Sequence, residues 1–71
     1  MKIEILDKTD ECIFAVKDND KSYEVKIWMN LNNGKPVNTI VRDNSTGEMV
    51  SEELEDTIVT EVLRNWLRLV A

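Results

Sequence analysis

Asp18, Asp20, Ser22 and Glu24 carry oxygen at every second position, a spacing that resembles the start of a calcium-binding loop. Such a loop converges alternate oxygens on one cation, turns sharply at a glycine and closes with a bidentate glutamate. Tyr23 stands where the glycine is needed and Met29 where the glutamate is needed. The same four residues serve a solvated hairpin turn, and that is the expectation. A second acidic group, Glu52, Glu53, Glu55 and Asp56, sits at helical rather than converging spacing. It reads as negative charge at the positive end of a helix dipole. The chain has no histidine, which removes the usual general base and the commonest metal ligand. Its two glycines cannot build a glycine-rich phosphate loop. No metal, no cofactor and no enzymatic activity are expected. Cys12, in the run Cys-Ile-Phe-Ala-Val, is read as a buried structural thiol, since a single cysteine closes no internal disulfide.

Trp28 is the most informative single residue. Tyr23, Val25, Ile27, Met29 and Leu31 alternate with Ser22, Glu24, Lys26, Trp28 and Asn30, the clearest two-residue period in the chain. The first set belongs to a core face. Trp28 therefore points outward, with Lys26 beside it, Ile40 and Arg42 expected on the neighbouring strand, and Lys17 joining from the other side. An outward aromatic among cations can anchor a protein or stack a nucleobase. Trp28, Lys26, Ile40 and Arg42 are thus the candidate binding residues. The plainer alternative is cross-strand packing of Trp28 on Ile40 and Ile13 over a mildly apolar outer face.

These residues need a frame, and the rest of the sequence supplies one. Residues 2–7 alternate as a strand with Ile3 and Ile5 on one face, and Thr9-Asp10 reads as a turn. Cys12 to Lys17 form a second strand, with Phe14 and Val16 opposite Ile13 and Ala15. Asp18-Asn19-Asp20-Lys21 closes a hairpin into the third strand, Ser22 to Leu31. Asn32-Asn33-Gly34-Lys35 is expected to turn in type I′ geometry. Pro36 can only open the next strand, in which Val37, Thr39 and Val41 face inward. Asp43 to Glu48 read as a turn with Gly47 in the left-handed region. Glu48-Met49-Val50 form a short fifth strand leading to the helix cap Ser51.

Ser51 to Val70 is read as one long helix, with no glycine or proline to interrupt it. At about 100° per residue from Leu54, the apolar arc runs through Ile58, Leu69 and Val62 and continues to roughly 220°. Val59, Leu63, Trp66, Leu67 and Val70 make up that extension. A helix packed on one sheet needs a stripe of only somewhat over 100°. Either a curled sheet and the chain ends wrap the excess, or a second copy covers it. The expectation is a homodimer through these five residues, because large contiguous apolar patches mark interaction sites.

The 71 residues make one domain, 1–71, of α+β class: an antiparallel β-meander of four to five strands, then one long C-terminal α-helix on one sheet face. A core of that size supplies only a few kcal/mol, so association would help. No run approaches the ~18 apolar residues of a membrane span, and the start lacks the apolar core of a signal peptide. A cytoplasmic protein with no membrane association is expected. The net charge of −5 argues against a general nucleic-acid binder. The functional expectation is a small acidic interaction or regulatory protein, homodimeric, that binds another protein. The alternative is a single-stranded nucleic-acid-binding module on the outer face around Trp28.

Overall fold

The computed structural model describes residues 1–8, 11–30 and 32–70. The expected turn at Thr9-Asp10 and the inward place of Leu31 lie outside the described residues. Four strands, β1 (Lys2–Lys8), β2 (Glu11–Asp18), β3 (Lys21–Asn30) and β4 (Lys35–Asp43), form an antiparallel sheet in the order β1-β2-β3-β4. Two helical segments follow, α1 (Glu52–Arg64) and α2 (Trp66–Val70). The fold is α+β.

Strand alternation sorts the chain into two faces. Phe14, Val16, Val25, Ile27 and Val41 are sealed at 1% exposure or less, and Cys12 and Tyr23 join them at 5%. Registers Phe14↔Val25 and Val25↔Val41 align these residues across three strands. Ile58 and Val62 of α1, both at 0% exposure, complete the same buried cluster. Sealing a large apolar side chain contributes about 1.5–3 kcal/mol. α1 runs closest to β4 and α2 closest to β1, so the helical segment passes from one edge of the sheet to the other. Among the described residues, no helix is long and apolar enough to cross a membrane.

The connections obey local chemistry. Asn19 takes φ 58° in the tight β2–β3 turn, where Asp18 pairs with Lys21. Gly47 takes φ 73°, and its amide donates to the Asp43 carbonyl at 2.7 Å. The Ser51 hydroxyl accepts from the Leu54 amide at 3.3 Å and caps α1. Glu52, Glu53 and Glu55 fill the first turn behind it.

Four expectations are corrected. The fifth strand reduces to one isolated bridge, Arg42↔Met49. The Asn33-Gly34 pair does not make a type I′ turn, because only Gly34 has positive φ (68°). Instead Asn30 pairs with Lys35, and the Gly34 amide returns to the Asn30 carbonyl at 2.8 Å. Val37 does not face the core: the register shifts between Trp28↔Asn38 and Met29↔Pro36, leaving Val37 as a bulge at 68% exposure. Proline has no amide for the ladder, and bulges gather where pairing is thus disturbed. Finally, the single long helix is two segments parted at Asn65.

At Asn65 (φ −102°, ψ 13°) the backbone leaves helical geometry, and its amide is shared between the carbonyls four and three residues back. Its amide reaches the Glu61 and Val62 carbonyls at 3.3 and 3.2 Å, and its side-chain Nδ2 donates to the Glu61 carbonyl at 2.8 Å. Asparagine competes for backbone groups in this way, which makes it a poor interior helix residue. Arg68 Nη2 then donates to Asn65 Oδ1 at 3.1 Å and fixes the join.

These parities make a paired prediction for urea denaturation. Ile27→Ala should destabilise the domain by roughly 2–5 kcal/mol as a core truncation. Val37→Ala at the exposed bulge should change it by less than about 0.5 kcal/mol. Equal losses would contradict the assigned register.

Candidate functional site

The outer sheet face is assembled from the residues that alternate with the core. Register places Glu11 opposite Trp28, Ile13 opposite Lys26 and Ala15 opposite Glu24 on one side of β3. On the other side Asn38 is opposite Trp28, Ile40 opposite Lys26 and Arg42 opposite Glu24. Ile13, Ala15, Lys26, Trp28 and Ile40 are half-buried. Trp28, Lys26 and Ile40 therefore meet as the sequence suggested. Arg42 does not join Trp28, because the two lie four residues apart in register, about 13 Å along a strand. Lys17 is farther still, opposite Ser22 at the other end of the face.

Lys26, the cation beside Trp28, is compensated by two carboxylates. Lys26 Nζ lies 3.8 Å from Glu11 Oε1 and 3.9 Å from Glu24 Oε1. Arg42 Nη1 donates to the Gly47 carbonyl at 3.2 Å. Pairs this exposed contribute little to stability, but two carboxylates stand beside the one lysine neighbouring Trp28. Glu11 and Glu24 are the residues that sequence reasoning did not place at the site. Glu24 lies in the same two-residue alternation that exposed Trp28, whereas Glu11 precedes the second strand as read from sequence and is placed only by the register.

The acidic residues disperse. Asp20 is an exposed turn residue, the Ser22 hydroxyl accepts from Asn44 Nδ2 at 2.7 Å, and Glu24 turns toward Lys26. At the helix, Glu55 Oε1 accepts from the Thr39 hydroxyl at 2.9 Å, and Glu61 pairs with Arg64 at 2.9 Å. Among the described residues no group of three or more acidic, cysteine or histidine side chains could hold a metal ion.

The extended helical arc is largely used within the chain. Val59, Leu63, Trp66 and Val70 are half-buried and pack against the core cluster. Trp66 meets Phe14 with ring centroids 5.6 Å apart and planes tilted by 57°, a geometry aromatic pairs favour. Leu67 alone of the five stands out, at 81% exposure.

The β4–α1 connection holds one perturbed acid. The Ser45 hydroxyl donates to Asp43 Oδ1 at 2.7 Å and the Ser45 amide at 2.8 Å. Together they hold the Asp43 carboxyl below the usual carboxylate range, assisted by Lys21 and the Thr46 amide. Comparison with known protein families, with curated proteins and with solved structures finds no match to this chain.

Asp43 gives a pH prediction. Because its folded pKa is depressed, its stabilising effect is complete above the ordinary value of 3.8 and is lost as pH falls from there through the folded pKa. Asp43→Asn should lower the urea midpoint at neutral pH and narrow its difference from wild type in acid. A difference independent of pH would remove the Ser45–Asp43 bonds as the cause.

Proposed function

We propose that this chain is a non-enzymatic interaction module that binds a protein partner on the uncovered sheet face. The observation that carries the reading is one half-buried apolar group, Ile13, Trp28 and Ile40, surrounding the compensated cation Lys26. A protein interface favours an aromatic anchor with a rim of paired polar groups. Single-stranded nucleic acid favours an aromatic platform inside a positive groove, because phosphate contacts supply most of the affinity. Trp28 meets the first half of that second requirement; Glu11 and Glu24 work against the other. Self-association through the helical arc, the finer part of the sequence expectation, rests chiefly on Leu67 now that the other four residues cover the chain's own core.

Two experiments test the reading. Trp66→Phe leaves Trp28 as the sole tryptophan, and its fluorescence should stay flat on titration with single-stranded oligonucleotide at low salt. A saturable change, lost in high salt, would replace the protein reading with the nucleic-acid one. A photo-crosslinker at position 28 should trap a discrete protein adduct in host extract, whereas one at position 53, exposed on α1, should not. Equal labelling from both positions would contradict the outer-face assignment.

A further inference from the structure

The two edges of the sheet are not equivalent. Along β4, the Val50 amide donates to the Val41 carbonyl at 3.1 Å, Met49 bridges Arg42, and Asp43 donates its amide to the Glu48 carbonyl at 2.9 Å. Farther back, Pro36 and the Val37 bulge blunt the same strand. These are the devices by which proteins close an edge to further pairing. Along β1, among the described residues, no backbone hydrogen bond is made to the outer edge of the stretch Lys2 to Ile5, and the ladder with β2 is regular there before the register shifts at Leu6. Lys2 and Glu4 are exposed on this stretch, and neither enters an ion pair among the described residues. Ile3 and Ile5 are only half-buried.

We propose that β1 is a pairing edge for a second copy of this chain, antiparallel about a two-fold axis at Ile3. The occupant follows from the charge order of the strand. With the axis at Ile3, Lys2 faces Glu4 of the second copy, Glu4 faces its Lys2, and Met1 faces its Ile5. Moving the axis one residue, to Glu4 or to Lys2, sets like charges directly opposite each other, which destabilises a ladder. Placing it between residues sets an inward side chain opposite an outward one, and one sheet is then inverted relative to the other. The Ile3 axis alone matches both charge and face. It joins the two sheets with their helices on one side, and α2, which lies beside β1 and carries the exposed Leu67, flanks the seam from each copy. The ladder ends naturally where Leu6 leaves the register, at 59% exposure. This isologous arrangement is independent of the outer-face reading, since it uses the edge and leaves Trp28 open.

Sedimentation equilibrium of the full chain at low ionic strength tests it. Wild type should approach the dimer mass as concentration rises. Glu4→Lys should raise the dissociation constant about tenfold, because two attractive cross-strand pairs become two repulsive ones. Lys2→Glu combined with Glu4→Lys should restore it to within about threefold of wild type. The double variant also guards against a folding defect, which restoration would exclude. A concentration-independent monomer mass up to about 1 mM would overturn the proposal, since that bounds any association to weaker than about 4 kcal/mol. So would a dimer indifferent to both charge variants, or one lost only with Leu67→Glu.

Discussion

The seal between one sheet face and one short helical segment is the interaction on which everything else depends. Phe14, Val16, Val25, Ile27 and Val41 present an apolar surface from the three strands β2, β3 and β4, and Ile58 and Val62 close it. A chain this size has little apolar surface to spare, and burial is its main source of stability. The helical segment must therefore reach from β4, where it begins, across to β1. The interruption at Asn65 is where that reach is achieved: beyond it Trp66, Leu69 and Val70 pack against the cluster, and Trp66 lies against the Phe14 ring. Four residues of the broad arc, Val59, Leu63, Trp66 and Val70, pack against the chain's own core, and Leu67 stands exposed.

Covering one face fixes the character of the rest. With the helices committed to the inner side, the outer side is left as open sheet. There the chain mixes half-buried apolar residues with paired charges. The edges are managed separately. β4 is closed by a proline, a bulge and the chain that follows it, whereas β1 relies on a single bulge at its end. The proposed protein-binding face and the proposed pairing edge share none of the residues on which either proposal rests.

Sequence reasoning read the parts of this structure that are set locally. The alternation in β3 assigned every described side chain there to its observed face, and Ser51 and Gly47 acted as their backbone chemistry required. What escaped were departures produced by neighbours. Val37 alternates perfectly well in sequence, and only the pairing of Met29 with Pro36 ejects it. Leu6 leaves β1 for a similar reason, through the register shift opposite β2. Asn65 carries no helix-breaking signal as strong as glycine or proline. Its break depends on competing side-chain bonds to the Glu61 carbonyl and from Arg68. At the candidate site, Trp28, Lys26 and Ile40 were legible from parity, but the distance of Arg42 and Lys17 from Trp28 required the register itself.

The central claim is that the chain breaks its helix at Asn65 to cover its own sheet. It is tested most directly by proton NMR of the wild-type chain in dilute solution. The account predicts nuclear Overhauser contacts between the Phe14 ring and the Trp66 indole, with the helical contact pattern interrupted at Asn65. An unbroken helical pattern through residue 65, with no contact between those two rings, would contradict it and return the apolar arc to the surface.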